Sequence, residues 1–265
     1  YPDMTMNEFK FIFYWEYSHR VLGRILGLFF LLPYIYFFFI KKVKKKFLPI
    51  CTIILLLIIF QGLIGWYMVK SGLVNDVTVS HYRLSIHLGV AFIIISITFL
   101  TLLNLKNNNN NIFTITKSDY LFFLLILLIF VQIILGAFVS GLDAGQVYQS
   151  WPLMNDSYFP DDINISLLKE FFDFNDHGLV QFYHRNIAYL IVLYILLLGF
   201  YIMKNKLKKL FKPFYILAFF LILQIFLGII TLLSGINILL ASSHQICSLL
   251  LILSTLNLYY RYKIN

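Results

Sequence analysis

Long apolar runs alternate with short polar clusters along this chain, and the runs are too long and too uniform for the elements of a soluble domain. No formal charge falls between Lys46 and Lys70, between Asp119 and Asp143, or between Lys212 and Arg261. A bilayer-spanning helix needs roughly 20 predominantly apolar residues, so the first two intervals hold one span each and the third holds two. The remaining runs, read the same way, bring the expectation to seven spans: 20–40, 47–69, 84–105, 120–141, 181–203, 213–235 and 239–260. Hydrocarbon offers the backbone no water, so each span must satisfy its own peptide groups and be helical. The period-two alternation of an outer-membrane barrel is absent. The expected fold class is an all-α polytopic membrane protein.

Composition narrows the class further. Of 265 residues, 60% are hydrophobic and 12% charged, about half the charged share of a soluble domain. A net charge of +9 would suit nucleic acid if it formed one patch, but it is distributed by connection. Lys41, Lys42, Lys44, Lys45, Lys46, Lys106, Lys117, Lys204, Lys206, Lys208, Lys209, Lys212, Arg261 and Lys263 fall in one set of connections, opposed by Asp119 alone. The other acidic residues fall in the alternate set. The positive-inside rule puts the basic set in the cytoplasm or matrix, with the N-terminus of the chain outside and its C-terminus inside. The expected location is therefore a bacterial or mitochondrial inner membrane, and the nucleic-acid reading is dropped. Cys51 and Cys247 both lie in apolar runs without a CxxC spacing, so neither a disulfide nor a zinc site is expected. The chain begins at Tyr1 and shows no signal-peptide pattern. The Asn107–Asn111 homopolymer reads as a biased loop.

An internal repeat organises the spans. Gln61-x3-Gly65-x5-Ser71-Gly72 recurs as Gln224-x3-Gly228-x5-Ser234-Gly235, and Glu16-x2-His19-Arg20 as Gln181-x2-His184-Arg185. His87, near the outer start of the third span, corresponds to His244, near the outer start of the seventh. The pattern predicts two pseudo-symmetric four-helix bundles, over residues 1–118 and 119–265. The first shows three helices, so its counterpart of 120–141 is expected to precede this sequence. The 120–141 span carries its own Gln132-x3-Gly136 and Ser140-Gly141. Small residues at such positions, and at Gly23 and Gly27, let helices approach closely.

His19, His87, His184 and His244 all fall near the outer ends of spans. Ionisable residues inside a bilayer usually face a bundle interior. Two per bundle, on different helices and without thiolates or carboxylates beside them, suit a bis-imidazole iron site better than zinc or di-iron. One heme per bundle is the expectation, ligated by His19 with His87 and by His184 with His244. The competing reading is that each histidine only bonds neighbouring helices. His81 and His177 lack repeat counterparts and read as solvated residues of outer loops. Arg20, Arg24, Arg83 and Arg185 lie beside the ligands and are candidates for heme propionates; interfacial anchoring is the alternative.

The repeat breaks at Glu16, which corresponds to Gln181, each about one helical turn before a ligand. A glutamate can exchange a proton and a glutamine cannot. Proton-coupled chemistry is thus expected in the first bundle and simple electron carriage in the second, unless Glu16 serves only to pair with an arginine. The outer loop 142–178 is long, acidic and aromatic. Its Gly141-Leu142-Asp143-Ala144-Gly145 and Trp151-Pro152-Leu153-Met154 stretches suggest a cap over the second site or a docking surface.

Several stretches resemble heme A synthases of the alphaproteobacterial and mitochondrial branch. They are Glu8-Phe9-Lys10-Phe11-Ile12, Glu16-Tyr17-Ser18-His19-Arg20-x2-Gly23-Arg24, the run Gly65 to Leu73, the run Val79 to Leu88, the run Gly136 to Gly145, and Gln181-Phe182-x-His184-Arg185. The resemblance implies eight spans in two halves. It implies a prosthetic heme b in the C-terminal half, at His184 and His244, and the substrate heme O in the N-terminal half, at His19 and His87. It implies oxidation of the C8 methyl of heme O to the formyl of heme A, by two hydroxylations and loss of water. Glu16 maps onto a functionally important carboxylate. A heme O synthase (protoheme farnesyltransferase) and an electron donor or acceptor are the implied partners. The alternatives are a diheme b-type electron-transfer cytochrome, or a heme transporter or chaperone.

Overall fold

The computed structural model describes residues 4–71, 79–107, 116, 119–161 and 168–264. Among them are seven helices long and apolar enough to cross a membrane, and no strand element. They are α1 (Met6–Phe39), α2 (Leu48–Ser71), α3 (His81–Asn107), α4 (Tyr120–Gly141), α5 (His177–Lys204), α6 (Lys208–Leu233) and α7 (Ile238–Lys263). All seven expected spans are present. The main difference is the start of α1, at residue 6 and not near 20. Charged residues suggested the later start, but a capping box sets the earlier one. The Thr5 backbone N–H donates to Glu8 Oε2 at 2.8 Å, and Glu8 N–H donates to Thr5 Oγ1 at 3.3 Å. That reciprocal arrangement satisfies two end donors at once. The helix then carries Glu16, His19 and Arg20 out beyond the apolar run. At α5 the Asp176 side chain accepts from Leu179 N–H at 2.8 Å and starts the helix at His177.

The chain forms two compact units, residues 1–66 and 67–265. In the first, α1 and α2 meet through a Tyr34–Thr52 hydroxyl hydrogen bond of 2.7 Å and through Gly27, whose missing Cβ faces Ile58 at 3.8 Å. No residue of α1 is buried. A helix whose outer faces meet lipid needs no polar covering, and α1 is apolar around most of its circumference.

In the second unit, α4 packs on α5 and α7, and α6 packs on the same two helices. The four form a ring in which α5 and α7 stand diagonally. α3 lies against α4 and α7. The apolar core fills the half of this ring at the Asp119 end, called inner by the charge rule and the opposite half outer, with Leu125, Ile129, Ile195, Ile202, Leu217 and Ile252 at its centre. Gly199 lets α6 close on α5 there: a Cβ would stand 2.4 Å from the Phe214 ring. Towards the outer side α6 buries little beyond Thr231, and α7 little before Cys247. That half of the ring is where the polar side chains converge.

The inner end is fastened by ions. Lys263 Nζ reaches Asp119 Oδ2 at 2.6 Å, with side-chain exposures of 9% and 2%. Thr116 donates its N–H and its hydroxyl to the same oxygen, at 2.6 and 2.8 Å. Burial pushes the Asp119 carboxyl up, but Lys263 and Thr116 outweigh it and hold the group below its ordinary range. Tyr260 donates to the Leu103 carbonyl at 2.9 Å and Tyr194 to that of Leu121 at 2.7 Å. These bonds tie α7 to α3 and α5 to α4.

Removing one partner of a buried pair strands the other charge, at a cost of about 3–5 kcal/mol. Lys263→Met is therefore expected to lower the thermal midpoint of the solubilised protein by several degrees. A carboxyl with a depressed folded pKa contributes stability that is complete above its unfolded pKa of about 3.9. That stability is lost only as pH falls through the lower folded value. The difference between Lys263→Met and the parent should thus be largest at neutral pH and shrink as falling pH protonates the stranded Asp119, in the variant first and in the parent last; thermal scans from pH 7 downward check it.

Candidate functional site

The second unit holds five of the six histidines, and two of them, His184 and His244, share a common seating. His184 lies about two turns into α5, and His244 lies about two turns into α7. Each leans on the preceding helix at a Gln-x3-Gly pair. Gln132 Nε2 on α4 is 3.3 Å from His184 Nε2 and donates to the His184 carbonyl at 3.0 Å. Gln224 Nε2 on α6 is 3.2 Å from His244 Nε2. The glycines make room for the rings. A Cβ on Gly136 would lie 3.2 Å from His184 Cε1, and one on Gly228 would lie 2.9 Å from His244 Cε1. Gly136 and Gly228, expected to serve helix approach in general, admit imidazoles in particular.

The tautomer of His244 follows from its partners. Nδ1 stands 3.1 Å from the Gln224 carbonyl oxygen. A carbonyl only accepts, so Nδ1 carries the proton and Nε2 keeps its lone pair in the neutral ring. Metal-ligating histidines are typically fixed in this way, with one nitrogen bonded to a carbonyl and the other turned to the metal. His184 has a buried Nδ1 without a hydrogen-bond partner. The two rings, on diagonal helices, lie within electrostatic reach of each other. Among the described residues no group of three or more His, Cys, Asp or Glu could hold a metal ion. Two imidazoles on opposed helices, with glycine-made space and no carboxylate or thiolate beside them, fit axial ligation of an iron porphyrin.

Gln181 and Arg185 flank His184 and bind the outer loop. Gln181, 3% exposed, donates from Nε2 to the Tyr148 carbonyl at 2.9 Å. Arg185 donates to the same carbonyl at 3.0 Å and to that of Leu153 at 3.2 Å. The loop answers with buried Tyr148 and Met154, and with a Tyr158 hydroxyl that donates to Asn186 Oδ1. Phe159 and Tyr158 set their rings edge-on to Phe182. Residues 144–159 are thus folded onto the outer part of α5 as a cap. Two of the three Arg185 guanidinium nitrogens donate to the loop, while its buried Nε has no hydrogen-bond partner.

The other expected site residues divide between the units. On α1, Glu16, His19, Arg20 and Arg24 are exposed. Arg20 Nη2 donates to Glu16 Oε2 at 2.6 Å, an i,i+4 ion pair. On α3, His87 is half-buried. Arg83 packs its guanidinium 3.9 Å from the Tyr67 ring centre and donates to the Tyr67 carbonyl at 3.0 Å. The pairing of His19 with His87 rests on the repeat.

His81 is a correction. Expected in a solvated loop, it begins α3 and is buried, at 8% exposure. Gly141 admits it, since a Cβ there would come within 2.7 Å of His81 Cβ. Phe138 meets the ring edge-on at 5.4 Å, and Tyr82 lies against it at 4.1 Å. The Ser140-Gly141 helix end was the available signal, because a terminal glycine beside an apolar run marks a close approach. His177 is exposed, as expected. Cys51 and Cys247 are free thiols.

Fold and site together define a polytopic helical membrane protein with two imidazoles seated alike against neighbouring helices. The chain belongs to the cytochrome oxidase assembly protein family (COX15-CtaA), whose sequence model matches residues 1–256. It is 44% identical over 259 residues to the heme A synthase of Pelagibacter ubique, covering 97% of this chain and 76% of that one. It is 41% identical over 257 residues to the heme A synthase of Rickettsia africae, covering 94% and 74%. The heme A synthase of Rickettsia bellii is 42% identical over 255 residues, with 94% and 75% covered.

The Gln181 bond is open to test. Gln181→Glu keeps the shape but replaces the N–H donor with a carboxylate oxygen facing the Tyr148 carbonyl. Leaving that buried acceptor with one donor fewer, beside a like partial charge, costs about 1–3 kcal/mol. The cap over 144–159 is expected to be cleaved several-fold faster by limited proteolysis in Gln181→Glu than in the parent, with α-helix content unchanged.

Proposed function

We propose that this chain carries out the heme A synthase reaction in an inner membrane, converting the C8 methyl of heme O to the formyl of heme A. The carbon passes from methyl to hydroxymethyl to geminal diol, and the diol loses water to leave the aldehyde. Each hydroxylation replaces a C–H bond by a C–OH bond, a two-electron oxidation of the carbon; with water supplying the oxygen atom, two protons and two electrons leave per step, so the protein must place a proton acceptor and pass the electrons to its electron partner. What supports this reading most is the seating of His244: its Nδ1–H is held by the Gln224 carbonyl, and its Nε2 keeps a lone pair, which the Gln224 amide meets at 3.2 Å. A mirrored Gln–His seat stands at Gln132 and His184 on the helix pair beside it.

In this reading the duplicated halves are residues 1–118 and 119–265, with their sites on the periplasmic or intermembrane side. His184 and His244 hold a prosthetic heme b, which supplies one-electron transfer when bound. Arg185 keeps the outer loop closed over that site and offers its buried Nε to a propionate. His19 and His87, the repeat counterparts, hold the substrate heme O. Arg20, Arg24 and Arg83 neutralise propionates of the substrate. Glu16 accepts the proton, and Arg20, bound to one carboxylate oxygen at 2.6 Å, orients it. A heme O synthase delivers the substrate, and a separate electron partner takes up the electrons.

The roles separate by substitution. Glu16→Gln removes the proton acceptor and keeps the shape. It is expected to retain heme binding while heme A formation falls by a factor of about 10²–10⁴, the usual weight of general base catalysis. Pigment extraction and chromatography from membranes of a heme O-producing host measure both. In the same host His184→Ala should lose heme b, and His19→Ala should lose bound heme O and its product. Full conversion by Glu16→Gln would remove the proton-acceptor role, and loss of both hemes from either histidine variant would remove the division into two sites. A protein that binds two hemes and makes no heme A in that host is instead an electron-transfer cytochrome.

A further inference from the structure

Two glutamines that no ligand set requires sit against the two imidazoles of the second unit. Gln132 precedes Gly136 by four residues on α4, and Gln224 precedes Gly228 by four on α6. In each case the amide Nε2 is within 3.3 Å of the histidine Nε2, and the glycine four residues on is the surface against which that ring lies. Both amide oxygens, Gln132 Oε1 and Gln224 Oε1, are buried without a hydrogen-bond partner. A buried amide that leaves its carbonyl unsatisfied costs free energy, so the orientation is held by what the N–H end gains. For His244 the assignment is unambiguous: Nδ1 donates to a carbonyl, and only a donor can stand opposite Nε2. The spacing appears a third time in the sequence, at Gln61 and Gly65, which argues against coincidence.

We propose that Gln132 and Gln224 are the keepers of the two imidazoles. In the heme-free protein each amide N–H occupies the ring nitrogen lone pair that iron would take, and thereby holds the ring in one tautomer and one orientation against the glycine. A bare imidazole nitrogen in hydrocarbon is costly, and a free ring samples rotamers; the keeper removes both problems before loading. On loading, the amide is released from the ring nitrogen and becomes a polar neighbour of the ligand, able to tune it. They are thus positioning residues for His184 and His244, not ligands. This rests on the proposed heme reading.

Heme titration of the purified chain, followed by absorbance, electron paramagnetic resonance and redox potentiometry, tests the inference. Gln132→Leu and Gln224→Leu are expected to weaken heme b binding by up to about 10-fold, because a ring no longer held in one tautomer and orientation must be ordered as the ligand binds. The low-spin signal of the remaining heme should broaden, as its ligand ring is no longer fixed. Gln132→Glu and Gln224→Glu keep the side-chain volume and guard against a mere folding failure. They should bind heme with a lowered midpoint potential, because a carboxylate beside the ligand favours the ferric charge. Gly228→Ala should lose more heme than Gly136→Ala, since its Cβ comes closer to the ring, 2.9 against 3.2 Å. Parental affinity, line shape and potential in the Leu and Glu variants would overturn the assignment. A parent chain that binds no heme would overturn the heme reading and this inference with it, an outcome distinct from normal binding by the variants.

Discussion

An imidazole in hydrocarbon cannot be left to itself, and much of the second unit follows from that constraint. Its two nitrogens need partners, its ring needs a fixed plane, and no water is on hand to provide either. The chain meets the need with a helix-to-helix device. One helix offers an amide and, one turn on, a glycine; the next offers the histidine. α4 with α5 and α6 with α7 are two copies. Because α5 and α7 stand diagonally in the ring, the two devices present their histidines from opposite sides of it. The inner half of the ring is free of such demands and is filled by Leu and Ile, with the Asp119–Lys263 pair closing its end.

The difference between Glu16 and Gln181 gains a second meaning from the cap. Read as sequence, the exchange distinguishes a residue that trades protons from one that does not. In the folded chain Gln181 is also a donor to a loop carbonyl, a bond that an ionised carboxylate cannot make. Arg185 donates to that same carbonyl, whereas Arg20, its repeat counterpart, turns to Glu16. One pair of positions is thus spent on closing a loop over the site, and the other forms an ion pair on an exposed helix face. The two halves diverge through which group the arginine meets, and a single oxygen-for-nitrogen exchange decides it.

Most of the architecture was legible because membrane spans are written in long apolar runs, and all seven expected helices are found. The residue repeat was legible too, since landmark residues recur in order. What the runs could not reveal was anything set by one side chain meeting another. The start of α1 was misjudged because hydropathy ends at the charges, while the helix begins at the Thr5–Glu8 capping box; the Thr-x-x-Glu spacing was there to be read. Gln132 and Gln224 were visible as a recurring spacing, but their partners lie 52 and 20 residues away along the chain, and no periodicity links them. His81 was misplaced for the same reason: an absent repeat counterpart says nothing about burial, which is decided by the room at Gly141.

The division between inner and outer halves also bears on how the site is built in time. A core of aliphatic and aromatic side chains with ion-paired and tyrosine-bonded ends can form without any ligand, because apolar packing and bonds within the chain hold it. The outer half cannot be made stable that way. It carries imidazoles, amides and an arginine, and five of these groups hold a buried nitrogen or oxygen without a bond: His184 Nδ1, Arg185 Nε, Gln132 Oε1, Gln181 Oε1 and Gln224 Oε1. Unsatisfied polar atoms in a bilayer are tolerated where a ligand or cavity repays them. The chain therefore holds a finished half that positions the helices and an unfinished half whose polar groups are already aimed. A site arranged so loses little on binding to reorganisation, since the rings are set before the ligand arrives and the cap over α5 is tied to the same turn of helix that carries His184.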